Sequence, residues 1–409
     1  MTRHNSLSDY ASKRFRLAGK AVLDFGNPFF APIDSLGAEA ERRGDHFVSF
    51  ANYDYLGLAS HPRVKADAAD ALDQLGVGAL ASRLVGGERS THQLLEEEVA
   101  AFLGTESSLA LVSGYLTNLT TITHLMAGRD ALFIDELSHN SIASAAKSSG
   151  SEVVVFRHND LDHLDDLLAA NRENYRNALI VVEALYSMDG DIVDLPRIVE
   201  IKERHQAWLL VDEAHSLGVL GATGRGISEL AGIDPNRIDL IIGTMSKTLA
   251  SCGGFIAAKR SITEWMRYSL PGFVYSVGLS PVITAAARAA LQLMQEESWR
   301  IDRLTKNAEL FRQCAQEADL DTGPAIGRGV VPILFASSQE TMLASQHLLG
   351  QGFYCPPIVQ IGVPKDQPRL RFFISASHTE DDIRRVIAAL ETRPVVAPEV
   401  PAQVATAAL

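Results

Sequence analysis

Seven short apolar runs recur between about residue 105 and residue 260, and they constrain the fold more than any other feature of the chain. They cover 109–112, 131–134, 153–156, 179–182, 208–211, 240–242 and 255–258. None alternates strictly between apolar and polar residues, as a strand does when one face meets water. Runs of this kind belong to strands covered on both faces. Helix-like stretches lie between them, for example at 161–171 and 195–205. The series predicts an α/β fold whose large domain carries a mostly parallel, seven-stranded sheet.

The pattern changes after about Pro281. Long helical stretches at 283–296 and 301–318 precede strand-like runs at 330–335 and 369–374 and a helix at 379–390, which read as a smaller α+β domain. Residues 1–55 read as an N-terminal arm, helical near 6–17 and then a loop marked by Gly26, Pro28 and Pro32. The expected division is therefore an arm (1–55), a large domain (56–285), a small domain (286–392) and a flexible tail (393–409) rich in Pro, Ala and Val.

With 409 residues, 46% of them apolar, the chain is long enough for a large core. A net charge of −13 with no basic cluster argues against a nucleic-acid surface. The three cysteines, Cys252, Cys314 and Cys355, show no metal-type or disulfide-type spacing, and a reducing compartment fits. No metal site is expected. The N-terminus lacks the apolar core of a signal peptide, and no stretch approaches the length of a membrane span. The expectation is a soluble, cytoplasmic protein.

Chemistry gathers where the apolar runs end. One run ends in Gly243, Thr244, Ser246 and Lys247, and another ends in Asp212, Glu213 and His215. A lysine and an acid at the ends of two buried strands suit pyridoxal 5'-phosphate (PLP). The amine joins the aldehyde, while the carboxylate keeps the pyridine nitrogen protonated and makes the ring an electron sink. Ser113, Gly114 and Tyr115 follow a strand and open a helix, where backbone N–H groups suit a phosphate. His139 follows another run and can stack on a flat cofactor, and Glu183 through Asp191 leave a third. In an open parallel sheet, ligands bind beyond the carboxyl ends of the strands, so these clusters converge on one crevice. Two decoys are set aside. Asp212 to His215 spells a helicase box, but no GxxxxGK[ST] phosphate loop accompanies it. Gly221 to Gly226 lacks the GxGxxG spacing of a dinucleotide site.

From about Phe50 to His378 the chain resembles the α-oxoamine synthases, PLP enzymes of fold type I. The landmarks are Tyr55 to Leu58, Ser82 to Val85 with His92, Ser113 to Tyr115, His139, Ser187 to Gly190, Asp212 to His215, Gly243 to Lys247, and Arg369 to Arg371 with His378. The resemblance implies that Lys247 carries the cofactor, Asp212 pairs with its ring nitrogen, His215 bonds its phenolic oxygen and His139 stacks on the ring. It implies a catalytic set of Lys247, His139, His215 and Asp212. Ser113, Gly114, Tyr115, Ser187, Thr244 and Ser246 are implied at or beside the cofactor. Ser276 matches a residue that reaches a neighbouring subunit's phosphate, which implies a homodimer with shared sites, although Ser280 stands in place of a family proline. Arg371 is implied as a clamp for the amino-acid carboxylate, a two-pronged geometry that arginine supplies and lysine does not. Tyr53 and Asp54 sit where relatives place polar groups near that carboxylate, in a segment that departs from the family pattern.

The implied reaction is a decarboxylative condensation of serine, alanine or glycine with an acyl thioester, on CoA or a carrier protein. It gives an α-amino ketone, CO2 and free thiol. The residues around Lys247 lean the reading toward serine palmitoyltransferase. The alternatives are 8-amino-7-oxononanoate synthase, a fold type I aminotransferase and a catalytically silent regulatory subunit.

Overall fold

A computed structural model describes residues 6–18, 29, 32–42, 44–359 and 367–394. After a helix at Leu7–Ala18, strands β1 (Asp34–Leu36), β2 (Glu39–Arg42) and β3 (Asp45–Ser49) form an antiparallel meander. The seven runs then become β4 (Ser107–Leu111), β5 (Ala131–Asp135), β6 (Glu152–Phe156), β7 (Ala178–Glu183), β8 (Trp208–Asp212), β9 (Leu240–Thr244) and β10 (Gly254–Ala258). They form one sheet in the order β4-β10-β9-β8-β7-β5-β6. Strand β10 alone runs antiparallel to its two neighbours, β4 and β9.

Alternate residues of these strands serve two different cores. Phe133, Ile180, Val182, Leu209, Val211 and Ile241 face one apolar cluster. Leu132, Ile134, Leu179, Val181, Leu210 and Ile242 face the other. Both faces are dry along the inner strands, which is why the sequence shows continuous apolar runs there; the edge strand β6 is covered less, with Val155 half exposed.

The register aligns the carboxyl ends. Glu183 pairs with Asp212, Asp212 with Ile242, and Thr244 with Gly254. The acid that ends β8 therefore sits level with the acid that ends β7, one strand from the segment carrying Lys247.

Beyond helices Pro281–Glu296 and Trp299–Glu317 the chain builds a second sheet, β11-β14-β13, from β11 (Val330–Leu334), β13 (Pro357–Ile358) and β14 (Arg369–Phe373). Strand β12 (Phe353–Tyr354) instead pairs in parallel with β3. The described part of the expected arm thus holds a three-stranded sheet after its helix, and that sheet is tied to the C-terminal part of the chain. Phe50, just past β3, packs among Phe311, Phe353 and Phe372 and stacks on His378 at 4.2 Å. The expected boundary at 285 falls inside helix Pro281–Glu296, which packs on helix Pro62–Leu75. Gly26, Pro28 and most of the expected tail, from 395 onward, lie outside the described residues.

Candidate active site

The carboxyl ends of β7, β8 and β9 open onto one crevice lined by Gly114, Tyr115, His139, Glu183, Asp212, His215, Thr244 and Lys247. Lys247 follows β9 in a tight turn whose Ala250 N–H bonds back to the Lys247 carbonyl at 2.9 Å. Among the described residues its amine has no hydrogen bond or ion pair. Burial pushes its pKa down to about 8, against the opposing pull of Asp212 and Glu183, while Arg371 lowers it further. An amine that titrates near neutrality is a usable nucleophile.

Asp212 ends β8 and is buried. One oxygen accepts the Asn118 amide at 2.6 Å and the other accepts the Ala214 N–H at 2.9 Å. Glu183, level with it on β7, accepts the His139 backbone N–H at 2.7 Å. Burial and the charge of Asp212 push the Glu183 carboxyl up to about 8.

Both imidazoles favour the neutral form. His139 caps helix Asn140–Ser149, and its Nδ1 lies 2.8 Å from Ser141 Oγ. Burial lowers its pKa, Asp212 opposes this, and Lys247 and Arg371 add to it. His215 is driven down further, by burial and then by Lys247, Arg371 and His139. Its Nδ1 lies 2.7 Å from the hydroxyl of Tyr55.

Gly114 begins helix Gly114–Leu125, capped by Ser113. Ser113 takes the Leu116 N–H on its hydroxyl and the Thr117 N–H on its carbonyl, and the Gly114 and Tyr115 N–H groups at the very start of the helix have no intrahelical acceptor. A Cβ at Gly114 would lie 2.8 Å from Thr244 Oγ1, so only glycine lets this helix end approach β9 so closely. Ser246 donates its N–H to Thr244 Oγ1 at 3.2 Å, which closes this corner.

The small sheet packs beside it. Strand alternation puts Arg369, Arg371 and Phe373 on one face of β14. Arg369 is fully buried and pairs with Asp189 at 2.7 Å in the turn after β7. That pair holds the two sheets together beside Arg371, which donates to the Ser187 carbonyl at 2.8 Å and lies over the Phe373 ring at 4.5 Å. The Arg371 Nε is buried without an acceptor, an unspent donor that an anionic ligand would satisfy. The Tyr53 ring edge meets Phe373 at 4.6 Å, and Lys247 Nζ lies 5.6 Å from its centre.

Two expected residues stand apart. Asp54 accepts the Leu58 and Ala59 N–H groups on its two oxygens, at 2.8 and 3.2 Å, so it fastens its own turn. A carboxylate would also repel a substrate carboxylate. Ser276 lies between helices Pro271–Val274 and Pro281–Glu296 and does not line this crevice. Asn118, Ser141 and Tyr55 contribute side chains that sequence reading left out of the site. Asn118 was signalled only by its four-residue spacing from Gly114, which puts both on one helix face.

The residues present fit PLP. A buried carboxylate, an amine whose pKa is about 8 and a helix start line one crevice, and Arg371, whose Nε lacks an acceptor among the described residues, lies close enough to depress the Lys247 pKa. The aminotransferase class I and II family model matches residues 45–390. Sequence relatives narrow this further. The chain is 39% identical over 361 residues to 8-amino-7-oxononanoate synthase of Beijerinckia indica, covering 88% of this chain and 90% of that protein. It is 38% identical to the enzyme of the same name from Geobacter sulfurreducens, with 87% and 91% coverage. The chain belongs to the α-oxoamine synthases.

As a member of that family it is a PLP-dependent acyltransferase of fold type I. A serine palmitoyltransferase structure from S. paucimobilis, with PLP and myriocin bound, superposes with a TM-score of 0.89 at 28% identity, over 95% of this chain and 98% of that one. One from Sphingomonas wittichii gives 0.89 at 27%. The lean toward serine palmitoyltransferase is thus the weaker of the two readings, since the relatives at 38–39% carry the other name. The residues around Lys247 build the cofactor end of the site, where substrates that differ at their far ends leave no mark. No helix among the described residues is long and apolar enough to cross a membrane.

Proposed function

We propose that this α-oxoamine synthase makes 8-amino-7-oxononanoate from alanine and a seven-carbon dicarboxylic (pimeloyl) thioester. The product's carbon count requires that pairing: alanine without its carboxylate supplies the last two carbons, and the acyl group supplies the first seven. The observation that carries the reading is the identity to the synthases of that name over most of both chains.

PLP, when bound, withdraws electrons from the substrate's Cα. The protein's part is to bind, orient and move protons. Lys247 would be the attachment point for PLP, and its amine, with a pKa of about 8, suits exchange of a proton at the substrate's Cα. Asp212, held by Asn118 and Ala214, keeps its carboxylate aimed at the ring nitrogen. Gly114, Tyr115, Ser113, Thr244 and Ser246 hold the phosphate. His215, neutral and fixed by Tyr55, would donate to the ring's phenolic oxygen, and His139 would lie against the ring. Arg371, steadied by Ser187, clamps the amino-acid carboxylate until CO2 leaves, with Tyr53 closing the pocket above Lys247.

The working unit in this reading is a homodimer in the cytoplasm, with Ser276 of each copy completing the other's phosphate site. Leu80, Val85, Tyr275 and Val277 support it: these apolar side chains are 54–88% exposed near Ser276, an arrangement a single copy gains nothing from. The fold similarity to serine palmitoyltransferase supports a second reading, in which serine and a long acyl chain are used.

One experiment separates these. The purified protein with PLP is titrated with glycine, alanine and serine by absorbance. It is then given pimeloyl and palmitoyl thioesters, on CoA and on a carrier protein, with mass-spectrometric readout. The expected result is 8-amino-7-oxononanoate from alanine alone, with one CO2 and one free thiol per product, and loss of visible absorbance and turnover in Lys247→Ala. A serine–palmitoyl product would replace the first reading with the second. Keto acid without CO2 would indicate transamination, and no product with any pair would indicate a silent subunit.

A further inference from the structure

Two buried side chains, Ser141 and the Asn118 that holds Asp212, connect the Asp212 carboxylate to the His139 ring. The Asn118 amide nitrogen donates one hydrogen to Asp212 Oδ2 at 2.6 Å and the other to Ser141 Oγ at 3.0 Å. Its carbonyl oxygen is buried with no partner. Rotating the amide by half a turn would face that oxygen toward the Asp212 carboxylate, two acceptors in contact, so the orientation is fixed by charge. An unsatisfied buried carbonyl is costly, and the arrangement persists against that cost.

The chain of donors continues in one direction. Ser141 Oγ accepts from Asn118, so its own hydrogen is free for His139 Nδ1 at 2.8 Å. The Ser141 backbone N–H also points at that nitrogen, at 3.2 Å. A backbone N–H can only donate, so with the hydroxyl it makes Nδ1 the acceptor of two donors and leaves the imidazole's one hydrogen on Nε2.

We infer that Asn118 and Ser141 are positioning residues that hold His139 as its Nε2–H tautomer and set that ring and the Asp212 carboxylate as one unit. The inference rests on the reading of the crevice as the PLP site. Its consequence is directional. His139 offers a hydrogen to whatever lies in the crevice and has no lone pair on that side, so it acts there as a hydrogen-bond donor or acid and not as a base. The groups that face it are Asp212, which favours its protonation, and Lys247 and Arg371, which oppose it. The Tyr115 ring lies 6.2 Å away, and Glu183 holds the His139 backbone N–H. The donor chain adds a further bias toward the neutral ring, because a protonated ring would set an N–H against two donors.

The test uses PLP-loaded protein labelled with 15N-histidine, without substrate, so its outcome is independent of which acyl chain the enzyme uses. Long-range 1H–15N spectra, with His139 assigned by difference against His139→Asn, should show Nε2 protonated and Nδ1 bare across the neutral range. In Ser141→Ala and Asn118→Leu, where only the Ser141 backbone N–H still faces Nδ1, a minor Nδ1–H population should appear beside the Nε2–H form, and the ring should begin to protonate at higher pH. Turnover should fall about tenfold in kcat with KM for the amino acid changed less than about twofold, the size of one lost hydrogen bond. Ser141→Thr, which keeps the hydroxyl, should restore the wild-type spectrum. A wild-type proton on Nδ1 would overturn the inference whatever the variants do. So would an unchanged tautomer and pH profile in both variants.

Discussion

Tyr55 and His215 are 160 residues apart in sequence, yet the phenol oxygen lies 2.7 Å from Nδ1. Both groups are buried. Burial holds the phenol well above its usual pKa, so it stays protonated, and holds the imidazole well below its own, so it stays neutral. The phenol therefore donates, Nδ1 accepts, and His215 is left with its hydrogen on Nε2, the form needed to donate to a phenolic oxygen. Tyr55→Phe removes the donor and leaves the packing. We expect kcat to fall about tenfold, with the bound-cofactor absorbance becoming pH-dependent in the neutral range. An unchanged spectrum and rate would show that the contact only packs.

Arg371 tests the carboxylate clamp. Arg371→Ala should lower kcat/KM for the amino acid about 100-fold, the size of a lost two-pronged ion pair. Arg371→Lys should recover little of it, because an ammonium lacks the fork. PLP binding should stay intact in both, measured by absorbance. Full recovery in the lysine variant would reduce the role of Arg371 to simple charge.

Gly114 tests the phosphate corner. In Gly114→Ala the new methyl would press on Thr244 at 2.8–2.9 Å. The helix start must withdraw, and its N–H donors with it. PLP affinity should drop about tenfold or more while thermal stability without cofactor changes less. Equal affinity in a dialysis titration would place the phosphate elsewhere.

His158 gives a stability test with a defined sign. It bridges Asp135 and Asp191, at 2.9 Å to each. Burial opposes its charge, but the two carboxylate hydrogen bonds outweigh that and raise its pKa to about 10. The unfolded value is near 6.5. A pKa raised on folding stabilises fully below the unfolded value, and the contribution is lost as pH rises toward the folded one. His158→Gln should therefore cost about 2 kcal/mol at pH 6, from two lost charge-assisted bonds, and almost nothing above pH 10. Denaturant melts at the two pH values decide it; a loss that is the same at both would remove the charge from the explanation.

Much of the site was legible in the linear chain. Lys247, Asp212, His139 and Gly114 each follow an apolar run, and parallel strands bring their carboxyl ends to one edge by necessity. The small strands were harder to read. β12 and β13 are two residues each and carry no periodicity, and β3 finds its parallel partner about 300 residues downstream. Asp54 looked available because sequence shows a carboxylate and not the Leu58 and Ala59 N–H groups that occupy it.

The sequence by itself determined the sheet, because burial on both faces demands continuous apolar runs, and it determined which strand ends carry an amine, an acid and an imidazole. Only the tertiary structure decided how those groups are tuned. Tyr55 meets His215, Asn118 spans Asp212 and Ser141, and Arg369 locks onto Asp189 beside Arg371. The physical reason is that hydrogen bonds and pKa shifts depend on distances of a few ångströms between groups remote in the chain. No local pattern encodes such distances, whereas strand periodicity is a property of neighbours.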